Sequence, residues 1–217
     1  AALLAQALGY EMVIGVQMPD GKQIDISDSD QVFNITHIRK LLINIEKAYS
    51  ELKNSILGNK EIIALTPGFT TNTPARLRMV VLYGIAALYG GFVCNTCNLS
   101  ERILGWETYG GDGFGDFSPI GNLTKSEVVE LGDFLKLPRN LVHKVPSDGM
   151  CGETDEDKFG FSYETLDKWI RFGLRPKSQK VYNHILELHK KSRFKRENIH
   201  IPMYDLELPI ARDFKFL

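Results

Sequence analysis

The sequence is poor in cysteine, in long apolar runs and in net charge, and each shortage excludes a class of protein. Its three cysteines, Cys94, Cys97 and Cys151, cannot all pair, which favours a reducing cytoplasmic compartment over a disulfide scaffold. No apolar stretch approaches the roughly 18 residues needed to cross a bilayer. A formal net charge of -1 also argues against a nucleic-acid binder held by bulk charge. We therefore expect a cytoplasmic protein that binds neither membrane nor nucleic acid.

The common catalytic signatures are missing as well. The chain contains no GxSxG, HExxH or GxxxxGK(S/T) pattern, and its five histidines are scattered. These absences argue against hydrolase, zinc-protease and ordinary P-loop chemistry. The chain opens with AALLAQALG, without a methionine or an N-cap residue, so we expect a further segment upstream of this numbering.

What is present is an alternation of helical and strand patterns over residues 1–217, which we interpret as one domain. The alternation predicts an α/β fold with a doubly wound, mainly parallel sheet flanked by helices, whose ligands lie beyond the carboxyl ends of the strands. The predicted strands are 12–19, 41–45 and 92–94. The first predicted helices are 1–8, closed by Gly9, and one that begins at Asp28 and Ser29 and runs to Arg39. A helix at 46–57 follows, then a loop at 67–74 and an apolar helix at 75–91. The remaining predicted helices are one that begins with a Thr124–Glu127 capping box, 162–173 and 177–192.

The stretch NTCNLSE, residues 95–101, follows the last predicted strand. Asn98 is placed to cap a helix and Glu101, three residues later, to close a capping box, which is a purely structural interpretation. A carboxylate at a strand end, before a loop rich in glycine and aspartate, is also suited to hold Mg²⁺ on a triphosphate. Both interpretations of Glu101 stay open. The CNTC pair alone leaves a zinc site two ligands short, so a metal or redox role for it is the weaker hypothesis.

Four further stretches carry polar or glycine-rich patterns, and the first three have both a structural and a functional interpretation. The glycine loop YGGDGFGDFSP is either a surface turn or a phosphate loop, and Lys125 at the following helix N-terminus favours an anion. Arg76 and Arg78 begin the apolar helix on different faces, one on the surface and one facing a buried or interfacial anion. Residues 144–161 form an exposed loop or a lid, and the basic run 190–198 is typical of a solvated helix face.

Four stretches in this order, NTPARLRM, NTCNLSE, GDFSPIGNLTKSEV and KVPSDGMCGETDED, resemble ammonia-dependent NAD synthetases, and the similarity covers nearly the whole chain. That family belongs to the N-type ATP pyrophosphatases, whose phosphate-binding SGGxDS loop precedes a segment like AALLAQALG. The chain departs from the family by lacking that loop, where an upstream segment is expected. The resemblance implies ATP-dependent amidation of deamido-NAD by ammonia through an adenylate. It also implies a homodimer, which would account for the apolar helix 75–91.

The resemblance also implies roles for individual residues, none of them a nucleophile or general base. Thr108 stands where some members of the family carry Lys, and Phe194 where they carry His, so the family's contacts at these two positions are not carried over to this chain. Whether Gln23 meets adenine is left open. The implied Mg²⁺ ligand is Glu101, together with an aspartate of the absent SGGxDS loop. The implied ATP contacts are Thr96, Lys125 and Ser147, and the implied deamido-NAD contacts are Arg76, Asp116 and Lys195.

Two rival functions remain at this stage. One is another N-type ATP pyrophosphatase that adenylates a different carbonyl group. The other is a non-catalytic nucleotide-binding protein of the same fold, which the absence of the SGGxDS loop would favour.

Overall fold

The computed structural model of the protein describes residues 1–23, 25–145 and 154–197. These residues form two compact units. One comprises residues 1–91 with 110–112, and the other comprises residues 92–109 with the described chain from residue 113 onward. No helix in these described ranges is both long and apolar enough to cross a membrane.

The first unit contains a βαβ arrangement. Strands β1 (Ile14–Gln17) and β2 (Arg39–Leu42) pair in parallel, with Ile14 opposite Arg39, and helix α2 (Ile26–Thr36) connects them. Parallel neighbours require such a crossover, so the unit confirms the predicted α/β character. Its other helices are α1 (Ala2–Leu8), which ends at Gly9 as predicted, α3 (Glu46–Leu57), which has the predicted bounds, and α4 (Pro67–Tyr89).

Gly15 allows α2 to pack closely on β1. A Cβ atom at this position would lie 2.4 Å from the ring of Phe33 and 3.0 Å from Ile38. Real carbon atoms do not approach this closely, so a side chain here would force the Phe33 ring to move.

The predicted boundaries of α2 and β2 were wrong. The helix begins at Ile26, before Asp28 and Ser29, and ends at Thr36, because His37 takes a left-handed conformation with φ of 55°. This early end leaves Arg39 in β2 rather than in the helix. The strand therefore lies a few residues earlier than the predicted 41–45, and it is mostly exposed rather than buried.

The loop predicted at residues 67–74 is instead the start of α4. The Thr66 hydroxyl accepts a hydrogen bond from the Phe69 N–H over 3.2 Å, and Pro67 occupies the first helical position. Proline fits there because its missing N–H needs no partner in the first turn. Pro74 is then carried inside the helix, where its side chain is buried. The two prolines thus do not mark a loop, contrary to the sequence prediction.

The second unit is helical in its described part. Residues 92–94 form only a single parallel bridge between Cys94 and Phe117, so the strand predicted there is wrong, and the sheet of the described residues has two strands. The predicted helices at 162–173 and 177–192 are confirmed. The helices of this unit are α5 (Leu99–Leu104), α6 (Lys125–Phe134), α7 (Arg139–Val142), α8 (Asp155–Phe159), α9 (Tyr163–Phe172), α10 (Gln179–Lys191) and α11 (Arg193–Glu197).

Two predictions about loops and surfaces need correction in this unit. The exposed loop expected at 144–161 contains helix α8, whose Asp155 and Phe159 are buried, while residues 146–153 lie outside the described ranges. The basic run is divided between α10 and α11 at the buried Ser192. A Cβ at Gly105 would lie 2.0 Å from the Cβ of Ser192, so glycine is required where α5 ends against this junction.

The core of the second unit lies between α5, α9 and α10. Leu166, Trp169, Ile170 and Ile185 are each 0% exposed, and the Trp169 ring stacks on Tyr182 at 4.9 Å between centroids. Full burial of such side chains contributes about 1.5–3 kcal/mol each relative to exposure. This core holds α5 and α9 rigidly beneath the side chains described next.

Candidate active site

Asn95 organises the chain around the predicted site. Its buried side chain donates from Nδ2 to the carbonyl of Phe114 over 3.0 Å. Its Oδ1 accepts from the Cys97 N–H at 3.0 Å and from the Ser118 hydroxyl at 3.1 Å. Thr96, the predicted ATP contact, comes next in the chain and is exposed. The sequence did not predict this role of Asn95, because two of its partners lie about twenty residues further along the chain and no local pattern indicates those contacts.

Glu101 closes the capping box that the sequence predicted. Its Oε2 accepts from the Asn98 N–H at 3.0 Å, and its own N–H donates to the Asn98 side chain at 3.0 Å. Burial raises the pKa of Glu101, while the Asn98 N–H and the charge of Lys125 oppose the shift. Among the described residues nothing donates a hydrogen bond to Oε1. Capping therefore uses one oxygen and leaves the other for a ligand.

Lys125 lies at the start of α6, in a second capping box. Thr124 and Glu127 form that box, as predicted, and the Lys125 N–H donates to the hydroxyl of Ser100 over 3.0 Å. The Lys125 ammonium lies 5.7 Å from the centroid of the Tyr163 ring, a distance suited to a cation–π contact. Because Ser100 precedes Glu101, this bond brings the beginnings of α5 and α6 together. The predicted ATP contact and the predicted metal ligand are thus neighbours.

Asp167 of α9 fixes that arrangement. Its carboxylate accepts from the Ser100 hydroxyl at 2.5 Å, from the Ser126 N–H at 2.8 Å and from the Ser126 hydroxyl at 2.7 Å. The residue is 5% exposed, and burial raises its pKa although the three hydrogen bonds favour the ionised form. Asp167 therefore joins α5, α6 and α9 at one carboxylate. Its partners are 67 and 41 residues away, so the sequence carried no signal for it.

A second acid, Asp155, is buried beside the same helices. The Tyr163 hydroxyl donates to its Oδ2 over 3.3 Å, whereas its buried Oδ1 has no hydrogen-bond partner. Burial, followed by the charges of Glu101 and Asp155, raises the pKa of Tyr163 far above its usual range, so its hydroxyl stays protonated. The charge of Asp155 also raises the pKa of Glu101. The two carboxylates therefore interact electrostatically.

Asp116, the predicted deamido-NAD contact, holds the glycine loop in place. Its N–H donates to the carbonyl of Val93, and its Oδ2 accepts from the Val93 N–H, both over 2.7 Å. The preceding Gly115 lies so close to Asn95 that a Cβ would be 2.6 Å from the Asn95 nitrogen. The glycine loop thus packs against residues 93–95. The hydrogen bonds of Asp116 hold it there, and its predicted contact with deamido-NAD stays a prediction.

Lys195, the other predicted dinucleotide contact in this unit, binds the chain that follows α5. Its ammonium donates to the carbonyl of Gly105 over 2.7 Å and to that of Glu107. The neighbouring Phe194 is half exposed, and its ring lies 5.8 Å from that of Tyr109. The described structure accounts for both residues through contacts within the chain, and the predicted ligand contact of Lys195 stays a prediction.

Arg76 belongs to the first unit, where it is exposed on α4 and its Nε lies 3.9 Å from the point where Gly110 would carry a Cβ. Arg78 is the half-buried arginine of the pair and donates from Nε to the Met18 carbonyl over 2.9 Å. Burial lowers the pKa of Arg78, while the charges of Asp20 and Asp112 oppose the shift. The two arginines therefore differ in exposure, as expected for different helix faces, but the group described beside Arg78 is a carbonyl, and a buried or interfacial anion there stays a prediction.

A cavity of about 530 Å³ opens beyond the carboxyl ends of β1 and β2. Such a volume lies in the range of small-molecule sites, and this edge of a parallel sheet is where nucleotides bind in doubly wound folds. Gln23 is one of its lining residues, although its Nε2 donates to Asp25 over 2.9 Å. The lining residues are Pro19, Gly21, Lys22, Gln23, Ile26, Leu42 and Asn44.

The structure thus brings together, in one unit, Glu101 and Lys125 with the unpredicted Asp155 and Asp167. Ser147 lies outside the described residues. Within the described ranges no group of three or more His, Cys, Asp or Glu side chains is arranged to hold a metal ion. Burial raises the pKa of the Cys94 thiol, which disfavours a reactive thiolate.

Solved structures define the class of the protein. A structure described as NMN synthetase from Francisella tularensis matches with a TM-score of 0.82 and 32% identity, covering 93% of this chain and 82% of that one. An NH₃-dependent NAD synthetase from Campylobacter jejuni, in complex with nitrate, matches with a TM-score of 0.69 and 27% identity, over 92% and 83% of the two chains. The chain therefore has the Rossmann-like fold of the N-type ATP pyrophosphatases, as predicted.

The profile of the NAD synthase family matches residues 1–199. The NH₃-dependent NAD⁺ synthetase of Pyrococcus furiosus is 34% identical over 209 residues, which cover 90% of this chain and 79% of the relative. The NH₃-dependent NAD⁺ synthetase of Pyrococcus horikoshii is 35% identical over an alignment of 230 residues, which covers 100% of this chain and 84% of the relative. The chain belongs to the NAD synthase family, and the resemblance described from its motifs is confirmed.

Proposed function

We propose that the protein is an ammonia-dependent NAD synthetase, a ligase that forms a carbon–nitrogen bond. The nicotinate carboxylate of deamido-NAD attacks the α-phosphorus of ATP and displaces pyrophosphate, giving an acyl adenylate. Ammonia then attacks the acyl carbon and displaces AMP, leaving the amide of NAD. Adenylation is needed because a free carboxylate is a poor electrophile and oxide is a poor leaving group. Family membership over residues 1–199 and relatives named for this activity support the proposal.

One observation carries the proposal at the level of the site, namely that Glu101 and Lys125 lie at the beginnings of two helices joined through Ser100. The first N–H groups of α6 already donate within the protein, so the positive end of the helix dipole, together with Lys125, is what attracts a phosphate there. We assign to the Lys125 ammonium and to Thr96 contacts with ATP phosphates, so that negative charge on the departing pyrophosphate is neutralised. Ser147 is proposed to contribute to the same ATP site.

Mg²⁺ belongs to this proposal, since the oxygen donors present suit it. Glu101 offers an oxygen to which no described residue donates a hydrogen bond, and Mg²⁺ is commonly held by one or two carboxylates together with substrate phosphates. When bound, the ion would supply charge neutralisation on the triphosphate. The carboxylate of Glu101 would hold it there, while Lys125 would orient the α-phosphate for attack.

We propose that deamido-NAD contacts Arg76, Asp116 and Lys195 and that the protein acts as a homodimer. Exposed apolar side chains on α4 support a partner surface, and the side chain of Leu88 is among the most exposed, at 83% of its possible area. Burial of such side chains in a second copy would remove apolar surface from water. We also propose the cytoplasm as the site of action.

The Francisella structure favours one alternative substrate. It is named NMN synthetase and is 32% identical to this chain. The same adenylation chemistry applied to nicotinate mononucleotide would yield that product. Comparison of kcat/KM for deamido-NAD and nicotinate mononucleotide decides between them, and we expect deamido-NAD to be preferred. A preference for the mononucleotide would move the substrate assignment but leave the reaction class intact. Turnover of neither would favour the non-catalytic nucleotide-binding protein.

Glu101→Gln tests the metal assignment. Glutamine also closes capping boxes, so the fold should survive, but a neutral amide is a poor Mg²⁺ ligand. We expect kcat for NAD formation to fall at least about 100-fold, as changes around metal ligands commonly cost this much. Glu164→Gln, which removes the exposed charge that pairs with Lys168, is the matched control. Near wild-type turnover in the Glu101 variant would restrict that residue to capping.

A further inference from the structure

Lys125 stands at a position where a cation does not stabilise its helix. It is the first residue of α6, at the positive end of the helix dipole, where acidic side chains are favoured and basic ones are not. Its backbone N–H donates to the Ser100 hydroxyl, but within the described ranges no residue accepts a hydrogen bond from its ammonium or forms an ion pair in direct contact with it. The described fold therefore does not account for this positive charge, which points to a ligand.

The ammonium of Lys125 instead lies over the ring of Tyr163, with Nζ 5.7 Å from the ring centroid. The face of an aromatic ring carries the negative part of its quadrupole and attracts a cation at this distance. Such a contact uses none of the three N–H donors of the ammonium, so these donors stay available for the oxygen atoms of a phosphate. The ring can therefore hold the cation without competing with an anionic ligand.

Tyr163 is itself held in place. It is 4% exposed, its hydroxyl donates to Oδ2 of the buried Asp155 over 3.3 Å, and its ring meets the Phe159 ring edge-on at 5.5 Å between centroids. Donation to a carboxylate also shifts electron density from the hydroxyl into the ring, which strengthens the attraction of the ring face for a cation. The position of the ring, and with it the place of the ammonium, is thus set within the protein before a ligand binds.

We propose that Tyr163 is a positioning residue of the ATP site, whose ring face holds the Lys125 ammonium where it meets a phosphate oxygen, while Asp155 fixes the ring through its hydroxyl. The proposal rests on the proposed function, since it takes Lys125 as an ATP contact. A lysine side chain that is already held loses less conformational entropy when the nucleotide binds, so the ring contact should strengthen the affinity for ATP.

The test is a double-mutant cycle of Tyr163→Leu and Lys125→Met, measured by calorimetric titration of the full-length protein with a non-hydrolysable ATP analogue and Mg²⁺. We expect Lys125→Met alone to weaken the affinity about 10- to 100-fold and Tyr163→Leu alone about 3- to 30-fold. In a protein that already carries Lys125→Met, Tyr163→Leu should weaken it less than about twofold. Tyr182→Leu is the matched control, because the Tyr182 ring also lies under a cation, the Arg175 guanidinium at 5.5 Å. It should leave the affinity unchanged.

A fluorinated ring separates the charge of the ring face from its packing, since fluorine withdraws electron density with little change in ring shape. Tyr163→Phe should bind the analogue more tightly than Tyr163→Leu does. The same variant made with trifluorophenylalanine should lose that advantage, while its melting temperature stays close to that of Tyr163→Phe. This comparison holds even where Tyr163→Leu does not fold, because both phenylalanine variants keep the ring in the core.

The outcomes separate the inference from the proposed function. Equal affinity losses for Tyr163→Leu with and without Lys125→Met overturn the inference, because the ring would then act through the fold and not through the ammonium. Equal binding by the two phenylalanine variants overturns it as well. In both cases a weakened Lys125→Met protein still supports Lys125 as an ATP contact. Wild-type affinity in Lys125→Met overturns both the inference and that contact.

Discussion

Replacing Asp167 by alanine should damage stability and nucleotide binding together, because this carboxylate accepts three hydrogen bonds that join α5, α6 and α9. Hydrogen bonds to a charged group contribute about 1.5–3 kcal/mol each. Part of that sum is already offset, since burial of the carboxylate raises its pKa and so opposes the ionised form. Breaking a buried charged network typically costs about 3–5 kcal/mol, and we expect Asp167→Ala to fall in that range. This is a large share of the roughly 5–15 kcal/mol that stabilises a typical domain.

Urea unfolding, followed by circular dichroism, measures the loss directly. Ser126→Ala removes one of the hydrogen bonds to this charged group and should cost about 1.5–3 kcal/mol, less than Asp167→Ala. Asp133→Ala is the control, because Asp133 pairs with His143 at the surface and exposed pairs contribute less than about 1 kcal/mol. ATP affinity should weaken in Asp167→Ala and stay unchanged in the control. A stability loss below about 1 kcal/mol for Asp167→Ala would refute the role assigned to this carboxylate.

Two further predictions concern stability. Burial opposes ionisation of Glu127, but hydrogen bonds from Arg171 and Thr124 hold its pKa below the ordinary value, so this stabilisation is full above about pH 4.3 and is lost as the pH falls through the lowered pKa. Glu127→Gln should therefore flatten the acid side of a plot of unfolding free energy against pH, and an unchanged slope would contradict this. Gly105→Ala should cost about 2–5 kcal/mol in urea unfolding, from its φ of 69° and the collision with Ser192, whereas Gly84→Ala, in open space on a helix, should gain about 0.5–1 kcal/mol. Equal effects at the two glycines would refute the steric argument.

Local patterns in the sequence correctly predicted the structural features that depend on residues close together in the chain. The capping boxes at Asn98–Glu101 and Thr124–Glu127 were predicted because both partners lie three residues apart. The helices at 163–172 and 179–191 were predicted because their apolar residues recur at helical spacing. The functional family followed from the order of four motifs, which no composition or periodicity argument could have supplied.

The remaining features depend on contacts between residues far apart in the sequence, or on backbone conformations that local patterns do not determine. Proline usually interrupts a helix, yet Pro67 begins α4 because Thr66 caps it there. The early end of α2 at His37 decides where β2 begins, and a left-handed histidine has no clear local signature. Asp155 lies in a run of acids that resembled an exposed loop, yet it is buried and accepts a hydrogen bond from Tyr163, a contact that the sequence does not indicate.

The central claim is that the substrate carboxylate is adenylated before ammonia enters, and an oxygen label tests it most directly. The full-length protein is supplied with ATP, Mg²⁺, ammonium and deamido-NAD whose nicotinate carboxylate carries ¹⁸O, and the products are weighed by mass spectrometry. Attack of the carboxylate on the α-phosphorus predicts NAD and AMP in equal amounts, with one ¹⁸O in the AMP phosphate. Formation of ADP and phosphate, or of NAD with unlabelled AMP, would contradict the account.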